Sequence, residues 1–415
     1  MSQQDTIAVI GAGIIGAAVA FALAREGHEV LLLDRAEPGV AGASFGNVGH
    51  IAAELVQPLP SPSLLCGFWR ELCCFDGVLD LPARQALRML PWIGRFAAVA
   101  FRRSENTRQL APLVRPAAAA WSRWLAATGR PELLRRHGHY EIGFGRRAEA
   151  RMRARARGMA HLGITTRPVS AEQLTPLQRA AQARFAAGLW FEDSAHVMDP
   201  FEAVRAFVAA AAARSATFRL FDVLALRAAG DKIEILGNQA PLRVDAAVVC
   251  AGISSQALLA PFGLRTPLQP VRGYHIELPG QAPLLDAPVV YAGEDVLVTP
   301  MAGRLRASSY MEFRAADAPA DPRKVARLRQ RVCALGYARV PAGRSWVGAR
   351  PVLPDYLPAI GRAAGPARLF YATGHQHIGL TIAPVTGELI ADLVAGRTPR
   401  LPIAAFDLRR FGAPR

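Results

Sequence analysis

The residues best suited to chemistry by type and spacing are Gly11, Gly13 and Gly16, with Asp34 placed 18 positions beyond the last of them. In a Gly-x-Gly-x-x-Gly turn the first glycine permits the bend. The second lets the backbone approach a pyrophosphate, and the third lets the following helix close on the sheet. The start of that helix, Ile14 and Ile15, then turns its unpaired N–H groups towards the diphosphate. A carboxylate at the end of the next strand can accept both ribose hydroxyls, and an acid there suits FAD or NAD better than NADP. A second candidate, His375-x-His377, lacks a third ligand at a metal-site spacing, so no metal is expected.

These residues need particular elements to position them. Thr6–Ile10 reads as a buried strand, Ile14–Arg25 as an Ala-rich helix ended by Gly27, and Glu29–Asp34 as a second strand. Continuous apolar strands imply a parallel sheet covered on both faces, so this is a βαβ unit. Residues 60–190 read as helical and Arg-rich. A capped helix begins at Asp199-Pro200-Phe201-Glu202, followed by strand-like runs at 218–226, 232–236 and 245–250, the last closing in Ala251-Gly252. Residues 266–315 are β-rich, and a helix then carries Val325, Leu328, Val332 and Leu335 on one face. A turn-rich stretch 350–361, a strand 369–372, a glycine turn at Gly374 and a helix to about Val394 close the chain.

The expected class is α/β (α+β). It combines a discontinuous Rossmann-like cofactor domain (1–60, 195–265 and 340–410) with a substrate domain of mostly antiparallel sheet plus helices (61–194 and 266–339).

Composition narrows the classes. With 415 residues, 51% of them hydrophobic and 20% charged, the chain has ample core and is neither disordered nor fibrous. Its net charge of +16 is almost all arginine, Lys232 and Lys324 being the two lysines. The arginines are dispersed, without a basic stripe interleaved with aromatics, which argues against nucleic acid. Cys66, Cys73, Cys74, Cys250 and Cys333 are odd in number and show no CxxC, so no disulfide framework is expected and a cytoplasmic setting is natural. The stretch Pro91–Arg103 is too short to span a bilayer. It reads either as a core helix of the substrate domain or as a peripheral contact with an anionic inner-membrane surface.

Several further motifs carry a resemblance. Asp34-Arg35 leads into a small-residue loop containing Ala43-Ser44-Phe45-Gly46-Asn47-Val48-Gly49-His50. Pro270-Val271-Arg272-Gly273, Gly348-Ala349-Arg350-Pro351 and Thr373-Gly374-His375-Gln376-His377-Ile378-Gly379-Leu380-Thr381 follow in order. Together they resemble the D-amino acid oxidase-type FAD-dependent oxidoreductases over residues 7 to about 395, nearest to bacterial D-amino acid and D-hydroxyproline dehydrogenases. Asp34 stands where many relatives have Glu, and no cysteine is placed for a covalent flavin link.

The resemblance implies FAD as cofactor. The contacts it implies are Gly11, Gly13, Ile14, Ile15, Gly16, Asp34, Arg35, Ala43, Ser44, Asn47, Gly49, His50, Val223, Ala251, Gly252, Gly374, His375, His377, Ile378, Gly379, Leu380 and Thr381. It makes Arg350 the anchor of a substrate carboxylate, since a planar guanidinium can form two parallel charge-assisted bonds. His50 becomes a wall near the ring, and Tyr274, Tyr291 and Tyr310 are candidates to cover the substrate.

The implied reaction is oxidation of a D-amino acid, or of a cyclic D-imino acid such as D-proline or hydroxy-D-proline. Hydride passes from Cα to flavin N5 and leaves an imine, a pyrroline carboxylate or a 2-oxo acid. Oxygen, a quinone or another carrier takes the electrons. Alternatives are a glycine- or sarcosine-type oxidase, an FAD-binding subunit of a membrane-associated electron-transfer complex, and a nicotinamide dehydrogenase. The oligomeric state is left open.

Overall fold

The computed structural model describes residues 5–62, 65, 78–181, 185–281, 284–337 and 344–412. Thr6–Ile10 lies at the centre of a six-stranded sheet whose order is Ala216–Leu220, Glu29–Asp34, Thr6–Ile10, Ala246–Val249, Arg368–Thr373, Ala359–Arg362. All neighbours run parallel except the last pair, which is antiparallel. Strands buried on both faces must be apolar throughout, and Ile7, Ala8, Val9, Val248, Val249 and Tyr371 are all fully buried.

The helix Ile14–Arg25 packs against Gly379–Val394 and Pro200–Ala212 and is buried almost all round. Its Gly16 is obligatory, because a Cβ there would stand 1.7 Å from the Gly11 carbonyl oxygen. Phe21, Phe207, Trp121 and Trp124 interlock above it with ring centroids 5.4–5.9 Å apart. Each such ring contributes roughly 1.5–3 kcal/mol by its burial. Trp121 Nε1 donates to the carbonyls of Leu380 and Thr381, tying the cluster to the start of the C-terminal helix.

A larger, mostly antiparallel sheet forms the second layer. Its path runs Ser345–Val352, Gln269–Pro279, Arg304–Phe313, Val296–Met301, Val289–Ala292, His139–Gly143, Ala187–Phe191, Arg167–Pro168. The helix Pro322–Ala334 buries Val325, Leu328 and Val332, and the Asp321 carboxylate caps it by accepting from Arg323 N–H. The Asp199 cap also forms, accepting from Phe201 N–H at 3.0 Å and Glu202 N–H at 3.5 Å.

The structure corrects three expectations. Residues 60–190 are not helical throughout: His139–Gly143 and Ala187–Phe191 extend the large sheet. They are short, and His139 and Glu141 interrupt the apolar run. The run 218–226 splits, because Phe221 N–H donates to the Asp34 carbonyl and ends pairing with the parallel sheet. Val223–Ala229 then joins Lys232–Gly237 and Leu242–Val244. Arg350 lies on a strand, Ser345–Val352, rather than in a turn. Cys66, Cys73 and Cys74 fall outside the described residues.

Candidate active site

The parallel strands end at Gly11, Cys250 and Thr373, and a cavity of about 1160 Å³ opens from there towards the large sheet. This is where a doubly wound sheet offers a crevice, at the carboxyl ends of its strands. Most of the expected cofactor contacts line it: Gly11, Gly13, Ile14, Ile15, Asp34, Arg35, Ala43, Ser44, Asn47, His50, Val223, Ala251, Gly252, His375, His377, Gly379, Leu380 and Thr381. Gly16, Gly49, Gly374 and Ile378 do not. Gly16 packs helix on strand, Gly49 and Gly374 hold turns at φ +75° and +69°, and Ile378 is buried in the core.

The glycine turn fits a dinucleotide. Gly11 has φ +103°, and a Cβ would meet the Cys250 carbonyl oxygen at 2.6 Å, so only bare backbone fits between the two strands. Asp34 Oδ2 accepts from Ala12 N–H at 2.6 Å and Oδ1 accepts from Ala36 N–H at 3.3 Å. A carboxylate has about four acceptor sites, so capacity remains for ribose hydroxyls. Ser44 Oγ accepts from Ile14 N–H at 2.9 Å and fixes the following loop to the helix start. His275 Nδ1 bonds the Gly46 carbonyl at 2.8 Å and its ring stacks on Trp346, which holds that loop against the large sheet. The helix Gly379–Val394 begins without a side-chain cap, leaving first-turn N–H groups facing the cavity.

Arg350 lines the same cavity. Its Nη1 donates to the Tyr310 carbonyl at 3.3 Å, and a Cβ on Gly273 would lie 2.1 Å from Nη2, so the glycine leaves the guanidinium its seat. Burial holds its pKa below the usual arginine value, partly offset by Tyr356. It still keeps its charge. Among the described residues no carboxylate lies within ion-pair distance of it.

Arg272 and Glu312, both fully buried, form an ion pair beneath the same strand, and Lys324 bridges Glu312 to Asp80. This buried lattice fixes the strand on which Gly273 sits. Tyr274 lines the cavity but does not offer it a hydroxyl, because that group donates to Glu312 Oε2 at 2.9 Å. Tyr291 is turned into the core, where its hydroxyl meets that of Tyr337. Tyr310 lines the cavity beside Arg350. His375 is buried with Nε2 on Thr386 Oγ1 at 3.2 Å, an internal contact that secures the closing loop.

Other site residues were not legible in advance. Tyr356 OH bonds His377 Nδ1 at 2.9 Å and sits within the field of Arg350. Tyr310, Tyr356 and Gln376 have φ of +75°, +63° and +48°. Such conformations cost about 1–3 kcal/mol each and cluster where function over-determines the backbone. A positive φ at a tyrosine leaves no sequence signal.

His50, Glu54 and His139 also meet on the cavity wall, their ligand atoms within 4.8 Å of one another. Burial opposes the Glu54 charge, but hydrogen bonds from its own backbone N–H and from the Ser194 hydroxyl favour it, and its pKa lies below the usual carboxylate value. Burial drives His139 down to about 3 and lowers His50, so both rings stay neutral.

A glycine cradle, a ribose-directed acid and a cavity longer than a small substrate needs define a dinucleotide-dependent enzyme. The chain matches the FAD dependent oxidoreductase family over residues 6–393 and belongs to it; FAD is its cofactor. It is 29% identical to a D-amino-acid oxidase of Bradyrhizobium diazoefficiens, covering 99% of this chain and 100% of that protein. It is 30% identical to a D-amino acid dehydrogenase of Paramagnetospirillum magneticum, covering 98% of each. Its fold superposes on glycine oxidase from Geobacillus kaustophilus with a TM-score of 0.78 at 21% identity, covering 98% and 99% of the two chains.

Proposed function

We propose that this FAD-dependent oxidoreductase oxidises the Cα–N bond of D-amino acids. The observation that carries the proposal is Arg350: a half-buried guanidinium on the cavity wall with no carboxylate within ion-pair distance among the described residues. A charge partly withdrawn from water without a partner is costly unless a ligand supplies one, and a carboxylate matches its planar fork. Gly11, Gly13, Ser44 and Asp34 would hold the dinucleotide portion, and the first turn of Gly379–Val394 would face the ring. When bound, FAD supplies a two-electron acceptor.

The chain's own contribution is orientation. Arg350 would fix the acid end, and the carbonyl of Tyr310, whose backbone is strained at φ +75°, accepts from its Nη1. Trp92, Ile93 and Phe96, from the helix Leu90–Val99, form an apolar wall that excludes water. Trp92, Ile93 and Phe96 would thus give the Pro91–Arg103 stretch a face in the site, while Phe101 within it and Leu90 just before it are exposed. The apolar wall also favours a substrate with a side chain over glycine itself. Among the described residues no helix is long and apolar enough to cross a membrane.

The test is anaerobic mixing of the yellow holoenzyme with matched D- and L-amino acids, D-proline, hydroxy-D-proline, sarcosine and glycine. Bleaching of the flavin band by D-amino acids is expected. Bleaching by L-isomers alone, or by amines lacking a carboxylate as readily as by amino acids, overturns the proposal. A dye acceptor compared with oxygen then separates dehydrogenase from oxidase.

A further inference from the structure

The wall formed by His50, Glu54 and His139 offers the cavity a carboxylate and, on His139, an imidazole lone pair. Glu54 Oε1 lies 4.0 Å from His50 Nε2 and 3.7 Å from His139 Nε2. The single hydroxyl proton of Ser194 goes to Glu54 Oε2 at 3.0 Å, so Ser194 must accept from His139 Nδ1–H, also at 3.0 Å. A neutral imidazole with its proton on Nδ1 leaves Nε2 a bare lone pair. His50 Nε2 has no hydrogen-bond partner although its side chain is only 7% exposed. Among the described residues no lysine or arginine lies within ion-pair distance of Glu54. A buried anion beside the His139 lone pair, with no lysine or arginine among the described residues paired to it, is a complementary seat for a cation.

We propose that this wall is a subsite for a cationic nitrogen. Resting on the amino-acid reading above, we assign it to the side-chain ammonium or guanidinium of a basic D-amino acid whose carboxylate is on Arg350. Arg350, His377 and Glu54 all line the same cavity, and both charges act on the His377 ring. A methylene stem between two charged ends suits a passage lined partly by Ala52 and Leu55. A tetrahedral zinc bound at about 2.0–2.1 Å needs ligand atoms roughly 3.4 Å apart. The observed 3.7 and 4.0 Å are wider and favour the longer reach of an N–H donor.

The experiment compares kcat/KM of the holoenzyme for D-lysine and D-arginine with the uncharged D-norleucine and D-citrulline, in wild type and Glu54→Gln. Wild type is expected to favour the charged member of each pair by roughly 30-fold or more, as a charge-assisted bond to a buried carboxylate implies. In Glu54→Gln the ratio is expected to fall to near one, with flavin content confirming the fold. Should that variant lose its flavin, His50→Leu is expected to lower the same ratio about fivefold or more.

Equal rates for D-lysine and D-norleucine in wild type overturn the subsite while leaving the amino-acid reading intact. If no D-amino acid is oxidised, that reading fails separately. The subsite is then judged by flavin spectral shifts on titration with D-lysine and D-norleucine: a D-lysine shift lost in Glu54→Gln supports it, and equal shifts overturn it. Stoichiometric zinc in the purified protein that disappears in Glu54→Gln assigns the wall to a metal and also overturns it.

Discussion

Replacing Arg350 by lysine tests the role on which the proposed chemistry turns. The guanidinium makes one long bond, 3.3 Å to the Tyr310 carbonyl, and faces the cavity with its remaining donors. Two charge-assisted bonds to a carboxylate are worth about 1.5–3 kcal/mol each. A lysine keeps the charge but forfeits the parallel pair, losing about 2 kcal/mol, or roughly 30-fold in affinity. Alanine loses both, about 4 kcal/mol, or nearly a thousandfold. Anaerobic stopped-flow bleaching over a range of D-amino acid concentrations yields Kd and the limiting rate separately. Kd is expected to rise as stated, with flavin content unchanged, since none of the dinucleotide cradle is touched. An amine lacking the carboxylate serves as control and should not distinguish wild type from Arg350→Lys. If Kd for the amino acid stays within about threefold of wild type in both variants, the carboxylate is held elsewhere and the orientation argument fails.

Three further outcomes are expected. Gly16→Ala places a Cβ 1.7 Å from the Gly11 carbonyl oxygen, so Tm and bound flavin should both drop; a variant with wild-type flavin content would refute the close-packing role. His139, His196, His275 and His375 are nearly fully buried, and burial lowers their pKa values to about 3, 3, 4 and 3. The unfolded chain takes these protons near 6.5 and the native state does not, so stability is complete above that value and is lost as pH falls towards 4. Four groups at ~1.4 kcal/mol per pH unit give a slope of roughly 5 kcal/mol per unit near pH 5, and equal urea midpoints at about pH 7 and pH 5 would contradict it. Leu90 and Phe101, 58% and 83% exposed beside Arg95 and Arg102, should bring the protein up with anionic liposomes, an effect absent from a Leu90→Ser, Phe101→Ser double variant; no flotation of wild type removes the membrane contact.

What could be read from the sequence was local. Gly11, Gly13, Gly16 and Asp34 act through backbone geometry within one βαβ unit, so their spacing alone carries the meaning. The Asp199 cap likewise needs only its own next residues. Tyr274 shows where this stops. Its position in a β-rich stretch places the ring at the cavity, but a buried Glu312 on the neighbouring strand claims the hydroxyl, and no local pattern announces that partner. The Glu54 cluster is less legible still. Ser194 and His139 reach it only because His50–Ile51 pairs with Ala195–Val197, which in turn pairs with Leu134–Arg135. Contacts across 140 positions follow from that small sheet and from nothing in the residues near Glu54.

The two ends of the substrate space therefore follow different rules of construction. Arg350 is charged because guanidinium cannot lose its proton at working pH, and the strained backbone at Tyr310 presents the carbonyl that accepts from it on the cavity wall. Glu54 keeps its charge against burial through the hydrogen bonds of Ser194 and its own backbone N–H, while burial keeps the neighbouring imidazoles neutral. One end is a fixed cation and the other a conditional anion. Protonating either imidazole would supply Glu54 with an internal counter-ion and weaken its hold on an external one. Acid should thus erode the preference for cationic side chains before it erodes recognition of the carboxylate. In kcat/KM profiles the D-lysine to D-norleucine ratio is expected to decline on acidification while the D-norleucine value itself still holds. A ratio that Glu54→Gln leaves unchanged at every pH where the protein stays folded would show that Glu54 does not set it.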